Sequence, residues 1–297
     1  MSFNRTDAPG LEGPGEHAAS PAVARNVVIR NVLSIAGSDP SGGAGILADV
    51  KTFSALGAYG TAVITALTAQ NTRGVTGVQA VPPAFVREQL DTLLADVRID
   101  AIKVGMLANA ELASVVAERL AGLDIPLVVD PVMVAKSGDA LLDASAIETL
   151  RRRILPLATL ITPNLPEAGV LLGRPAPTTV PEMREAAVAL HALGPRHVLV
   201  KGGHLRGSES PDIAFDGETF TELGAPRVAT RNTHGTGCTL SAAITALLPQ
   251  RPDLASALRD AKAYVTAALQ ASEQLEVGGG HGPLHHFHAW WPGRASG

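Results

Sequence analysis

A chain of 297 residues, 46% apolar and with a formal net charge of −4, can bury one large α/β core or two small ones, and its 3% aromatic content argues against an all-β sandwich. No Lys/Arg-rich run stands out beyond Arg151, Arg152 and Arg153, so a nucleic-acid footprint is missing, and no apolar stretch approaches the ~20 residues that span a bilayer. The one cysteine, Cys238, excludes an internal disulfide and a cysteine-rich zinc site.

Residues 1–28 read as a disordered tail. Its first 21 positions are rich in Gly, Pro, Ala and acidic residues and hold no secretory apolar stretch, which favours a cytoplasmic protein. A strand over 32–36 leads into the glycine-rich stretch 37–45, and a helix over 44–56 carries Ile46, Val50, Phe53 and Leu56 at three-to-four spacing. A strand over 63–67, a helix over 83–97, a strand over 101–104, a helix over 108–123 and a continuously apolar strand over 126–130 follow. Then come a helix over 144–155, a strand over 160–162, a short helix over 165–172, a helix over 181–193 and a strand over 197–201. The order changes beyond that point: 213–223 reads as a hairpin around Asp216-Gly217, and helices over 237–248 and 254–275 close the chain.

This βαβα alternation predicts an α/β fold, a three-layer αβα sandwich with a mostly parallel central sheet, in a single domain from 29 to 293. Ligands of such sheets gather at the carboxyl ends of the strands. The polar and glycine-rich stretches fall there: 37–45, 105–106, 130–138, 162–167, 201–204 and 233–238.

Gly235, Thr236 and Gly237 enter an apolar helix, so several backbone N–H groups and the helix dipole face one point. That is a phosphate cradle or a plain loop-to-helix turn; it is not a Walker A loop. Cys238 lies at the same helix start, where a thiol pKa tends to fall; the alternative for a lone cysteine is a small buried hydrophobe. Asn164 and Glu167 can share a face, either to hold Mg²⁺ or as an ordinary capping pair, and Asp130 is a second metal candidate or a turn-starting carboxylate. His281, His285, His286 and His288 lack metal-ligand spacing and read, with Trp290 and Trp291, as a surface-packed terminal segment.

Several long blocks resemble the hydroxymethylpyrimidine/phosphomethylpyrimidine kinases of thiamine biosynthesis, in the ribokinase-like superfamily. They are AGSDPSGGAGILADVKTFSALGAYG (36–60), TALTAQNT (65–72), KVGML (103–107), DPVMVAKSG (130–138), LITPNLPEA (160–168), VKGGH (200–204), NTHGTGCTLSAA (232–243) and HHFHAWW (285–291). The resemblance covers about residues 30 to 293. It implies a kinase that uses ATP and Mg²⁺, with Gly235, Thr236 and Gly237 as the anion hole and Cys238 as the base that takes the substrate hydroxyl proton. It places Gln70 against the pyrimidine edge, a role that suits a carboxamide, which offers a donor and an acceptor side by side. It also assigns Gly37, Ala44, Asp49 and Met106 to the pyrimidine pocket, Asn164, Glu167, Lys201 and Thr233 to the nucleotide, and Glu167 with Asp130 to the metal. A homodimer acting on a small-molecule pyrimidine, phosphorylated twice, completes what the resemblance implies. A pyridoxal kinase of the same superfamily is the near alternative, and a non-catalytic pyrimidine-binding regulator is an alternative of another class.

Overall fold

The computed structural model describes residues 28–133 and 144–291. The tail expected over 1–28 lies outside these residues except for Val28, as do positions 134–138 of the block that starts at Asp130 and the expected domain end at 292–293.

Ten strands and eight α-helices run in the order β1 (Asn31–Ala36), α1 (Gly45–Ala55), β2 (Tyr59–Ile64), β3 (Ala66–Asn71), β4 (Gly74–Ala80), α2 (Pro83–Asp96), β5 (Ala101–Val104), α3 (Ala110–Leu120), β6 (Leu127–Val129) and α4 (Ala144–Thr149), among the described residues. They continue as β7 (Leu160–Ile161), α5 (Leu165–Leu172), α6 (Val180–His191), β8 (His197–Val200), β9 (Asp212–Phe215), β10 (Phe220–Leu223), α7 (Thr236–Leu247) and α8 (Leu254–Gln270). Eight strands form one sheet in the order β10-β9-β8-β7-β6-β5-β1-β2. It is parallel from β2 to β8 and antiparallel at the β8–β9 and β9–β10 pairs.

Strand periodicity decides the layers. Leu33, Ile35, Ile102, Val104, Leu127 and Val129 face one side and pack with Val86, Leu90, Leu112 and Val116 of α2 and α3, and with residues of α5 and α6. Val128, Leu160 and Leu199 face the other side, against Leu240 and Ile244 of α7 and Ala257 and Val265 of α8. Val32 and Ala101 meet Phe53 of α1 and Ala242 of α7 on that same side. Covering both faces is why these strands read as unbroken apolar runs. Each fully buried Leu, Ile or Phe contributes roughly 1.5–3 kcal/mol to this three-layer packing.

The strand expected over 63–67 is two strands divided at Thr65. β2 joins the main sheet, while β3 turns away and pairs with β4 as a separate two-stranded lid, Ala66 opposite Ala80 and Asn71 opposite Gly74. Polar and small residues in the lid hide it from a search for apolar runs. The helix expected over 144–155 continues past Thr149 as a π turn over Leu150–Ile154, where Pro156 ends regular helix. The last helix stops at Gln270, with one 3₁₀ turn beyond it.

Candidate active site

Chain order reverses direction across the sheet between β1 and β5, the neighbours at the switch point. A crevice outside the carboxyl ends of those two strands is the expected ligand site. The loop after β1 forms one wall and Gly105-Met106 after β5 the other. A Cβ on Gly37 would lie 2.5 Å from Met106 Cε, so the two stretches touch across the switch. Thr65 donates to the Met106 carbonyl at 2.7 Å and fixes that wall. The lid enters from above: Thr68 donates from its hydroxyl to the Ser38 carbonyl at 2.9 Å and to Gln70 Oε1 at 3.1 Å. Gly37, Met106 and half-buried Gln70 therefore share one corner of the cleft.

Two helix N-termini adjoin this corner, the Ile46 N–H in the first turn of α1 donating to the Gly37 carbonyl at 3.0 Å. Gly235 caps α7 with φ 77, and a Cβ there would stand 1.7 Å from the Gly43 carbonyl, so only glycine lets the loops before α1 and α7 approach this closely. Ala44 caps α1, and its N–H donates to Asp39 at 2.9 Å. Asp39, buried, also accepts from the Ser41 N–H and hydroxyl at 2.9 and 2.7 Å and meets His234 Nε2 at 2.7 Å. Burial works to raise its pKa, but the hydrogen bonds from His234 and Ser41 outweigh that and hold the carboxyl below its usual range. One carboxylate thus locks together the loops that precede α1 and α7. Asp39→Asn is expected to lower kcat roughly ten- to hundredfold by letting the cradle drift. Steady-state kinetics beside a melting curve would check this, and an unchanged kcat would show that the loops hold without the pair.

Cys238, half-buried in the first turn of α7, faces the Gly45 N–H of α1. The lowered thiol pKa expected from the helix start is not what the surroundings produce. Burial pushes it up to about 11, and the carboxylates of Asp130 and Asp49 add to that, against the pull of Lys103 and the Gly45 N–H. Desolvation outweighs the Lys103 charge and the Gly45 N–H here.

Asp49 does not line open space. It is wholly buried, with Lys103 Nζ 2.8 and 2.7 Å from its two oxygens and the Ser34 hydroxyl donating to one of them at 2.5 Å. Ser34 and Lys103 are register partners on β1 and β5, so strand pairing itself aims both at α1. Burial opposes charge on Lys103, but the Asp49 carboxylate prevails and holds the ammonium above its usual pKa; burial also raises the Asp49 pKa, against the pull of Lys103 and the Ser34 hydroxyl.

Lys201 sits beneath the cradle, 3.1 Å from where a Gly237 Cβ would be. Its Nζ donates to Asp130 Oδ1 at 2.7 Å, and Asp130 also accepts from Thr162 at 3.2 Å and from Ser241 of α7 at 3.3 Å. Thr233 anchors the turn through its carbonyl, which accepts from the Thr236 hydroxyl at 2.8 Å. Asn164 and Glu167 form a full capping box at the start of α5, each side chain bonded to the other's backbone N–H at 2.9 and 2.8 Å. Burial pushes Glu167 up to about 7; Lys201 pulls the other way, and Asp130 adds to the rise. The histidine-rich end lies at the surface in part, with His281, Trp290 and Trp291 exposed, but His285 and His286 are buried, and His286 Nε2 lies 3.2 Å from Thr239 Oγ1. Among the described residues no group of three or more His, Cys, Asp or Glu could hold a metal ion.

The phosphomethylpyrimidine kinase family model matches residues 39–285, which include every site residue named above except Ser34, Gly37, Ser38 and His286. The hydroxymethylpyrimidine/phosphomethylpyrimidine kinase of Escherichia coli (strain K12) is 56% identical over 262 residues, spanning 88% of this chain and 98% of that protein. The chain belongs to the phosphomethylpyrimidine kinase family. Two solved structures agree with the fold. The phosphomethylpyrimidine kinase of Clostridium difficile 630 superposes with a TM-score of 0.72 at 41% identity, covering 81% of this chain and 99% of its own. The pyridoxal kinase of Bacillus subtilis, in an ADP complex, superposes with a TM-score of 0.82 at 37% identity, covering 88% and 99%.

Sequence reasoning passed over three members of this family site: Lys103, the Asp39–His234 lock and the lid as a separate sheet. For Lys103 a signal existed, because a lysine between Ile102 and Val104 in a buried strand demands a carboxylate partner.

Proposed function

We propose that this chain transfers the γ-phosphoryl group of ATP to the hydroxymethyl oxygen of 4-amino-5-hydroxymethyl-2-methylpyrimidine and then phosphorylates the monophosphate to the diphosphate, in thiamine biosynthesis. The observation that carries it is the meeting, at the sheet's switch point, of the Gly37–Met106 contact, the lid strand that bears Gln70 and holds Ser38 through Thr68, and the start of α7 that bears Cys238. The kinship with the E. coli enzyme supports the substrate, and the ADP complex of the B. subtilis enzyme supports a nucleotide as donor.

In this reading Gln70 holds the aminopyrimidine edge through its carboxamide, with Gly37 and Met106 packing the ring. Cys238 Sγ accepts the hydroxyl proton as the oxygen attacks phosphorus. The Gly235–Cys238 N–H groups and Lys201 stabilise the charge on the transferring group's equatorial oxygens, and they do so without reorganising. Glu167 and Asp130 fit Mg²⁺: both are oxygen donors, and a buried carboxylate pushed up to about 7 next to a second one gains most from a divalent cation. Bound there, the cation would neutralise phosphate charge. Two carboxylates with waters making up the octahedron suit Mg²⁺ better than an all-protein cage.

The likeness to pyridoxal kinases makes pyridoxal phosphorylation the second reading, since both substrates carry a hydroxymethyl group on a nitrogen heteroaromatic ring. No helix of the described residues is long and apolar enough to cross a membrane. A homodimer and a cytoplasmic location belong to the proposal through resemblance to relatives. Mass spectrometry of products from purified protein, ATP and Mg²⁺ tests the reading, with hydroxymethylpyrimidine, its monophosphate or pyridoxal as acceptor. Pyrimidine mono- and diphosphate are the expected products. Turnover of pyridoxal alone would overturn the assignment of Gln70.

A further inference from the structure

A glycine-rich segment, Gly278-Gly279-Gly280-His281-Gly282, runs from the tip of the lid to the phosphate cradle. At the lid it is held by backbone groups: the Gly280 N–H donates to Thr72 Oγ1 at 3.1 Å and the His281 N–H to the Thr72 carbonyl at 2.9 Å. At the cradle the Gly282 carbonyl accepts from the His234 N–H at 3.0 Å, and His281 Nδ1, protonated in this arrangement, donates to the Arg231 carbonyl at 3.3 Å. Thr72 is in the turn that joins β3 to β4, two residues from Gln70. His234 directly precedes the cap of α7 and carries the bond to Asp39.

Four glycines in five residues look like a loose linker, but the packing says otherwise. A Cβ on Gly280 would lie 2.0 Å from the Thr72 carbonyl oxygen, one on Gly278 2.3 Å from Thr72 Oγ1, and one on Gly282 2.2 Å from Asn232 Oδ1. On Gly279 it would be 3.0 Å from the Arg73 guanidinium. Glycine is the residue whose backbone is hardest to order, so its use where it is pinned at both ends answers to close approach rather than to freedom. A segment that merely finished the chain would not need contact with both the lid turn and the cradle loop.

We propose that residues 278–282 are a positioning strap, which sets the height of the lid, and with it Gln70, from the phosphate cradle. This rests on the reading of Gln70 and Cys238 given above. The strap acts through other residues and touches no reacting atom. With the Thr68–Ser38 bonds, it ties the distance between the pyrimidine edge and the transferring phosphoryl group to the cradle's own backbone.

The test combines kinetics with hydrogen exchange. In Gly280→Ala the new methyl meets backbone at Thr72, so the lid must lift: KM for the pyrimidine is expected to rise roughly ten- to hundredfold and KM for ATP to stay within about twofold, the scale set by a misplacement near 1 Å. Amides of β3 and β4 are expected to exchange faster, with or without substrate. Gly282→Ala, at the cradle end and not at a positive φ, meets the Asn232 side chain instead, so Asn232→Ala in the same chain is expected to restore much of the lost affinity. Gly122→Ala, at a positive-φ site with nothing within 4 Å, serves as the control for a general effect of losing a glycine. Equal rises in both KM values, unchanged lid exchange in a folded Gly280→Ala, or no gain from Asn232→Ala in Gly282→Ala would each overturn the strap. If Gly280→Ala does not fold, the Gly282→Ala and Asn232→Ala pair decides. Wild-type protein that ignores the pyrimidine would sink the functional reading, while the exchange result would still judge the strap.

Discussion

Replacing Cys238 by alanine is expected to lower kcat by roughly 10²–10⁴-fold, the range a positioned general base supplies, and to leave KM for the pyrimidine within about threefold. In the proposed role as base, Cys238 acts as the hydroxyl proton leaves, so its loss falls on the transition state rather than on ground-state binding. The pH dependence follows from where burial sets this group. With the thiol pushed up to about 11, thiolate is the minor form at neutrality, and its fraction grows about tenfold per pH unit until that value is passed. The kcat/KM of the wild type, which reports the free enzyme, is therefore expected to climb with a slope near one in log units from about pH 7 to 9. In Cys238→Ala that limb should be gone. A wild-type profile already flat at pH 7 would mean that another group takes the proton. Equal losses of affinity and turnover in Cys238→Ala would mean that the cysteine packs the pocket and does no chemistry.

The layers of the fold were legible because buried parallel strands write themselves as unbroken apolar runs, as in Leu127–Val129 and His197–Val200. The turn at Asp216-Gly217 was legible for a local reason: Asp216 accepts from the N–H groups of Glu218 and Thr219 at 2.8 and 2.6 Å, and Gly217 takes a positive φ. The lid was not legible. Thr68, Gln70, Thr76 and Gln79 pattern it as solvated chain, and it exists only because Ser38 and the strap hold it. Motif blocks located the cradle, but not the sign of the Cys238 shift. A helix start is visible in sequence, whereas the burial that opposes it, and the Asp130 and Asp49 charges that add to the rise, come from tertiary packing. Glu167 shows the limit from the other side. Its capping bond is written in the spacing Asn164 to Glu167, but its raised pKa depends on Asp130 and on burial that no spacing reports.

The largest expected loss of stability lies one layer below the cleft, at the Lys103–Asp49 pair. Both side chains are fully buried, so removing either partner leaves an uncompensated charge in the core, and Lys103→Met or Asp49→Asn is expected to destabilise by about 3–5 kcal/mol, a fall in melting temperature of roughly 5–15 °C. Removing both, as Lys103→Met with Asp49→Leu, is expected to recover most of that loss, because no charge then remains to be desolvated. A double variant no more stable than the singles would mean that the site needs the pair for shape, through Ser34, and not for charge balance. The same pair separates stability from chemistry. Lys103 pulls the Cys238 thiol down and Asp49 pushes it up, so Lys103→Met is expected to move the alkaline limb of kcat/KM to higher pH and Asp49→Asn to lower pH. Two variants that melt alike but shift the limb in opposite directions would show that the buried ion pair tunes the base as well as holding β5 to α1. Limbs that shift together would reduce Lys103 and Asp49 to scaffold.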